Sequence, residues 1–185
     1  MDEKGMKVAD LKSSGADIAF VMPSHQYPLG IVMPMKRRME LLKWAAKDPA
    51  RYIIEDDYDS EFRFSGKPIP TMASIDKNQK VIYMNTFSKT LAPSIRIAYM
   101  VLPFELMDKY TKKLDFYSST VSALNNILWQ EFIKGGYYER HINRMRNYYK
   151  DSRNKIITAI RNSSIYPQIS IEEENSGLHF ILRIK

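Results

Sequence analysis

The sequence predicts an α/β fold built on a largely parallel sheet. Short apolar segments alternate with longer stretches whose apolar residues recur at helical spacing. Nearly continuous apolar segments are typical of strands that are covered on both faces, as in parallel sheets. Polar and charged residues follow directly after several of these segments. Ligands of such sheets bind at the carboxyl ends of the strands, so we expect the chemistry of this protein there.

The first strand and helix are predicted near the amino terminus. Residues 17–22 form the strand, which ends at Pro23, and residues 24–30 form a loop at its carboxyl end. A helix opens at Pro34, where the missing N–H of proline costs no hydrogen bond, and it stops at Asp48-Pro49. Its apolar stripe is predicted to consist of Met39, Leu42 and Ala46.

Three more strands and a run of helices follow. The strands are predicted at residues 52–54, 81–84 and 95–102, and residues 86–93 form a loop between the last two. Helices are predicted at residues 105–114, 120–134 and 138–161, the second of them closed by Gly135-Gly136, and a final strand at residues 178–184. The predicted apolar side of the long helix contains Tyr138, Ile142, Met145, Tyr149 and Ile156.

Composition excludes several classes of protein. The chain has 185 residues, no cysteine and a net charge of +7. It therefore has no disulfide and no thiolate metal site, and its apolar segments are too short to cross a membrane. The polar start Met1-Asp2-Glu3-Lys4 is not a signal peptide, so we expect a cytoplasmic protein. The basic run from Arg140 to Lys155 is predicted to be a solvated helix face, with an acidic partner as the alternative.

Five side chains near the predicted strand ends suit pyridoxal 5′-phosphate (PLP). An acid beside the ring nitrogen keeps that nitrogen protonated, a lysine captures the aldehyde, and a guanidinium binds phosphate by a forked contact. In this interpretation Asp56 pairs with the ring nitrogen, Tyr58 with the ring hydroxyl, and Lys89 is the catalytic residue. Thr86 and Arg96 bind the phosphate.

Each of these residues has a simpler interpretation when it is taken alone. A loop lysine is usually solvated, and an acidic strand end is often a turn or a magnesium site. His25 is a candidate cofactor-binding residue that stacks near the ring, with a structural loop histidine as the alternative. His141 and His179 are predicted to be structural, and no metal site is predicted, because no ligands occur at metal-binding spacing.

Six segments carry a resemblance to a known family. They are residues 53–62, with the sequence Ile-Ile-Glu-Asp-Asp-Tyr-Asp-Ser-Glu-Phe, and residues 23–26, 68–70, 81–83, 86–91 and 177–180. Together they resemble the aminotransferase-like domain of MocR/GabR-type regulators, which belong to the GntR family of bacterial transcriptional regulators. Those regulators join a winged helix to a fold-type-I PLP domain of the class I/II aminotransferase superfamily.

The resemblance implies a fold, a cofactor and partners. It implies a PLP-binding large domain, truncated at both ends, in residues 1–150, and the end of a long helix with the start of a small domain in residues 151–185. It also implies an amino acid or amine as effector, a homodimer, and contact with DNA only through a winged helix that this chain lacks. It assigns the same roles to Asp56, Tyr58, Thr86, Lys89 and Arg96 as the chemistry does.

Departures from the family pattern limit what the chain is expected to do alone. Residues 1–16 contain no glycine-containing phosphate loop, Arg183 does not fit the carboxylate-binding arginine, and Tyr27 stands where aminotransferases often carry asparagine. We therefore expect weak cofactor binding and a fragment that is inactive alone. A free-standing class I/II aminotransferase is the alternative parent, and a folding and dimerisation unit without ligand is a third hypothesis.

Overall fold

A four-stranded sheet organises the chain in the computed structural model, which describes residues 1–64, 69–172 and 177–185. Its strands follow one another in space in the order of the sequence: β1 (Ile18–Val21), β2 (Tyr52–Asp56), β3 (Val81–Thr86) and β4 (Ala98–Val101). The first three are parallel, and β4 runs antiparallel to β3. The predicted α/β class with a mostly parallel sheet is confirmed.

The register of these strands gathers their ends at one edge. Asp56 at the end of β2 lies opposite Met84 in β3, and Thr86 at the end of β3 lies opposite Ala98 at the start of β4. The segments that follow β1, β2 and β3 and the segment that precedes β4 therefore share this edge. We call it the carboxyl edge, because it is formed by the carboxyl ends of the three parallel strands.

Seven α-helices, two short 3-10 helices (Ser60–Phe62 and Tyr166–Gln168) and a second small sheet complete the described part of the chain. The helices are α1 (Val8–Ser13), α2 (Met35–Ala45), α3 (Met72–Ile75), α4 (Phe87–Thr90), α5 (Phe104–Leu114), α6 (Ala123–Lys134) and α7 (Tyr137–Arg161). The second sheet pairs β5 (Ile169–Glu172) with β6 (Ile181–Ile184) in antiparallel orientation. No helix in the described ranges is both long enough and apolar enough to span a bilayer.

Several predicted boundaries were wrong for local reasons. The loop at 86–93 contains α4, because the Thr86 hydroxyl accepts a hydrogen bond from Ser88 N and so caps a short helix. The strand predicted from residue 95 begins only at Ala98, because Arg96 has a φ of 54°, which a strand cannot contain. The sequence patterns did not predict α1, α3 or β5.

The proposed division of the chain is not tested by the structure. Helix α7 runs through the boundary between residues 150 and 151, and the division into 1–150 and 151–185 stays a prediction. Residue 68 of the 68–70 segment lies outside the described residues.

The core fills one side of the sheet beneath α1 and α2. It includes Ala19, Val21, Leu41, Trp44 and Ile53, each at most 4% exposed. The predicted stripe of α2 was right at Leu42 but wrong at Met39, which is 41% exposed, and at Ala46. The face that packs against the sheet instead carries Arg38, Leu41, Leu42 and Ala45.

The other helices are much less covered. In α5, α6 and β4, all of whose residues are described, no side chain is buried. Phe104 is 80% exposed and Leu128 is 60% exposed. In α7 the buried residues are Ile142 and Ile157, so the predicted stripe was wrong at Ile156, which is 51% exposed.

A buried arginine ties the loops around β1 together. Arg38 is fully buried, and its guanidinium donates to the carbonyl oxygens of Met33, Pro70 and Pro23 at 3.0, 2.9 and 2.7 Å. Burial lowers the pKa of Arg38, and the carboxylates of Glu55 and Asp57 partly oppose this effect. Because three separate segments accept hydrogen bonds from the same guanidinium, this group fixes their relative positions.

We expect Arg38→Met to destabilise the protein by about 3–5 kcal/mol, because three buried carbonyl groups lose their donor. The measurement is the free energy of unfolding from urea titration. Lys36→Met, on the exposed side of the same helix, is the matched control and should change stability by less than about 0.5 kcal/mol. Equal midpoints for the two variants would contradict this role of Arg38.

Candidate functional site

Asp56 lies at the carboxyl edge, as the sequence predicted. It is the last residue of β2 and is half-buried, and its carboxylate has no hydrogen-bond partner within the described part of the chain. Burial raises its pKa, and the nearby carboxylates of Asp57 and Asp59 raise it further. The structure therefore contains an acid whose charged form needs a positive partner.

Thr86 and Lys89 belong to the turn from β3 into α4. The Thr86 hydroxyl accepts from Ser88 N at 3.1 Å and donates to the Ile97 carbonyl at 3.2 Å. Lys89 lies in α4 and is exposed, and its ammonium has no ion-pair partner among residues 1–64, 69–172 and 177–185. The capped turn holds the lysine beside the end of β3, next to the strand that ends in Asp56.

Arg96 reaches the same edge from the other side. Its neighbour Ile97 accepts hydrogen bonds from Phe87 N and from the Thr86 hydroxyl, so the segment before β4 is fixed against the start of α4. Arg96 is exposed, has a positive φ, and makes no ion pair with any described residue. The backbone thus brings the segments that carry Thr86, Lys89 and Arg96 together.

Tyr58 and His25 form a pair between the loops after β1 and β2. The Tyr58 hydroxyl donates to the His25 carbonyl at 2.9 Å and lies 3.5 Å from His25 Nδ1. Burial, followed by the charges of Asp59 and Asp56, raises the pKa of Tyr58, so its hydroxyl stays protonated. The hydrogen bond to the carbonyl leaves the Tyr58 oxygen free to accept.

A cluster of His25, Asp59 and His179 at this edge was missed from sequence. His25 Nδ1 lies 2.8 Å from Asp59 Oδ2, and both side chains are almost completely buried. The same oxygen accepts from Leu178 N at 3.2 Å, and the His179 ring packs 4.1 Å from the His25 ring. His25 and Asp59 are 34 positions apart, and Asp59 and Leu178 are 119 apart, so no local pattern signals these contacts.

His25, Asp59 and His179 also bring three potential metal ligands within 4.8 Å of one another. The Asp59 oxygen is already used by two hydrogen bonds, so the cluster is explained without an ion, and the prediction of no metal stays a prediction. Burial lowers the pKa of His179, with His25 and the Lys89 ammonium acting in the same direction.

Gly177 makes the close approach of the last segment possible. It has a φ of 70°, and a Cβ at this position would lie 1.9 Å from His25 Nδ1 and 2.6 Å from Asp59 Oδ2. Only glycine therefore fits between this backbone and the two side chains.

A second polar network joins the segment after β2 to the end of β3. Asp57, which is 2% exposed, accepts from the Tyr83 hydroxyl at 2.9 Å and from Ser60 Oγ at 2.7 Å. The Asn85 amide donates to Tyr83 and to Glu61 Oε1, while its oxygen accepts from Thr86 N. Asn85 thus connects the acidic loop after β2 with the turn that carries the lysine.

We expect Gly177→Ala to destabilise the protein by about 2 kcal/mol more than Gly15→Ala does. Both glycines have a φ of 70°, but a Cβ at Gly15 meets nothing within 4 Å, whereas at Gly177 it displaces His25 or Asp59. Urea titration measures the difference, and the NMR signal of the His25 imidazole should move only in Gly177→Ala. Equal losses in the two variants would contradict the close packing.

The chain is similar to proteins of known class. Residues 5–185 match the family described as aminotransferase class I and II. The chain is 42% identical to the uncharacterized HTH-type transcriptional regulator YdeL of Bacillus subtilis over 184 residues, which are 100% of this chain and 39% of that protein. It is 37% identical to the probable rhizopine catabolism regulatory protein MocR of Rhizobium meliloti, covering 99% of this chain and 37% of that protein. The predicted resemblance to MocR-type regulators is confirmed.

Solved structures of aminotransferases have the same fold. The structure of Pyrococcus horikoshii kynurenine aminotransferase, in complex with PMP, KYN and KYA, superposes with a TM-score of 0.76 at 29% identity, over 96% of this chain and 46% of that one. The chain thus spans less than half the length of the proteins it matches. The match over nearly all of its residues establishes that the chain belongs to the aminotransferase class I and II family.

Proposed function

We propose that this chain is the PLP-binding core of the effector domain of a MocR/GabR-like transcriptional regulator. The observation that carries this proposal is a set of three ionic side chains without partners in the described residues: the carboxylate of Asp56, the ammonium of Lys89 and the guanidinium of Arg96. PLP offers a ring nitrogen, an aldehyde and a phosphate, which are the complements of these three groups.

Each residue has a defined task in this proposal. PLP supplies an electron-accepting ring when it is bound. Asp56 holds a proton on the ring nitrogen, since an acid beside a base favours the charged form of that base. Lys89 would hold the cofactor at its aldehyde group and would carry a proton on its own nitrogen. Thr86 and Arg96 hold the phosphate, and the free oxygen of Tyr58 accepts from the ring hydroxyl.

The wall of the site is proposed to be formed by the buried histidine cluster. His25 is held by Asp59 and in turn positions Tyr58 through its carbonyl group. His179 closes the site from the side of the last segment, and its lowered pKa keeps the imidazole neutral near pH 7.

The parent protein is proposed to act as a cytoplasmic regulator. An amino acid or an amine would be the effector, a homodimer the working state, and a winged helix outside this chain the main DNA contact. The similarity to YdeL and MocR supports this regulatory role.

A free-standing aminotransferase is the alternative, because the chain is also 31% identical to aromatic-amino-acid aminotransferase 1 of Thermococcus litoralis. The higher identity to the regulators favours the first proposal. Transfer of an amino group from an amino acid to a 2-oxo acid by the parent protein, without any DNA binding, would instead favour the enzyme.

We expect PLP to label Lys89 preferentially when the chain is incubated with the cofactor and then reduced with borohydride. Reduction makes the link permanent, so the experiment tolerates weak binding. Mass spectrometry compares the labelling of Lys89 with that of Lys109, an exposed lysine in α5. Arg96→Ala and Asp56→Asn should lower labelling at Lys89 and leave Lys109 unchanged. Equal labelling of the two lysines in the unaltered chain would overturn the proposed site.

Without cofactor, we expect Asp56→Asn to raise stability, and more at pH 7 than at pH 4. The pKa of Asp56 is raised in the folded state, so the folded protein binds this proton more tightly, and ionisation lowers stability as pH rises above the ordinary value of 3.8. Because asparagine does not ionise, the Asp56→Asn variant does not lose stability in this way. Urea midpoints at the two pH values measure the effect.

The control for this substitution is Asp17→Asn, which alters an exposed carboxylate and should give the same small change at both pH values. A lower midpoint for Asp56→Asn at pH 7 would mean that the Asp56 carboxylate has a stabilising partner in the protein. The proposal that the Asp56 carboxylate is left unpaired in the free protein and pairs with the ring nitrogen would then be wrong.

A further inference from the structure

A groove with a volume of about 580 Å³ runs between α1 and α2. We call it the lysine groove, because four lysines line it: Lys7, Lys12, Lys43 and Lys47. All four are exposed. Trp44 also lines the groove, but it is 1% exposed and belongs to the core.

Positive side chains outnumber negative ones in the groove, with four lysines and Arg37 against two carboxylates. Two carboxylates, those of Asp2 and Glu40, line the groove, and both pair with Arg37, at 3.1 and 3.5 Å. Arg37 also donates to the Met6 carbonyl at 2.6 Å, so it is fixed within the wall. Among the residues that the structure describes, none of the four lysines forms an ion pair. The groove is therefore a site of concentrated positive charge.

The lysine groove reaches the edge of the sheet opposite to the cofactor site. Lys47 follows the end of α2 and precedes β2, while Lys12 lies near the end of α1 and precedes β1. Both strands therefore begin on this side, whereas Asp56 and Lys89 lie at the carboxyl edge. A ligand in the groove would not compete with the cofactor.

The chemistry of the groove favours the backbone of duplex DNA. Ammonium groups on flexible stems bind phosphates as point charges and carry no sequence information. Single-stranded nucleic acid is usually held by exposed aromatic rings, and the only aromatic ring in the lining of this groove, Trp44, is buried. The lining also contains no exposed apolar anchor of the kind that centres a protein interface.

We propose that the lysine groove binds the phosphate backbone of duplex DNA without reading its sequence, as a second DNA contact of the parent regulator. The choice of DNA among polyanions rests on the proposed regulatory function. Four phosphate contacts would make the logarithm of the binding constant fall with the logarithm of salt concentration with a slope of about −3.6.

Fluorescence anisotropy with a short labelled duplex tests the groove directly on this chain. The double variant Lys43→Glu/Lys47→Glu should weaken binding on the order of tens of fold at 0.1 M salt and reduce the slope by about 2. The control is Lys150→Glu/Lys155→Glu, which makes the same charge change on exposed residues of α7. The control should lose much less affinity, and a loss equal to that of the groove variant would overturn the proposal.

Additional variants and a competitor polyanion distinguish the other possible results of this DNA-binding experiment. Lys43→Gln/Lys47→Gln repeats the test with a smaller charge change should the glutamate variant fail to fold, which circular dichroism reports. Displacement of the duplex by polyglutamate at equal charge concentration would overturn the assignment to DNA, as would the absence of binding at low salt. Borohydride labelling at Lys89 should be unchanged in the groove variants, so a failure of the cofactor proposal is distinguishable from a failure of this one.

Discussion

The parallel pairing of β1, β2 and β3 is the constraint on which the site depends. Parallel strands end on the same side, so the residues that follow each of them meet at one edge, however far apart they lie in the sequence. The antiparallel β4 then returns its first residues to that edge. Without this register, the acid after β2 and the lysine after β3 would have no reason to be near each other.

Charge at the carboxyl edge disfavours the ionised form of Asp56 in the free protein. Three carboxylates, those of Asp56, Asp57 and Asp59, lie close enough to disfavour ionisation of Asp56. Asp57 and Asp59 have hydrogen-bond donors, whereas Asp56 has none in the described residues. Asp57 is only partly satisfied, because its buried Oδ1 has no hydrogen-bond partner among the described residues.

Sequence patterns predicted all four strands of the main sheet, apart from the start of β4, and the residues at the strand ends, because both follow from local apolar runs and their ends. They failed where the cause is distant or geometric. The contact of His25 with Asp59 and His179 joins three separate segments. The positive φ of Arg96 is not predicted by any sequence pattern. The buried face of α2 was misplaced, because it includes Arg38, which a hydropathy pattern assigns to solvent.

The bare surfaces of α5 and α6 bear on how the molecule unfolds. Helices without buried side chains gain little from packing beyond ring contacts such as the stacking of Trp129 on Phe87, so they should open at free energies far below that of the region around α2 and β2. Amide protons in these helices would then exchange with solvent long before those in β2. The free energy of local opening should therefore differ along the chain. It should be highest beneath α2 and lowest where apolar rings such as Phe104 and Phe116 face water.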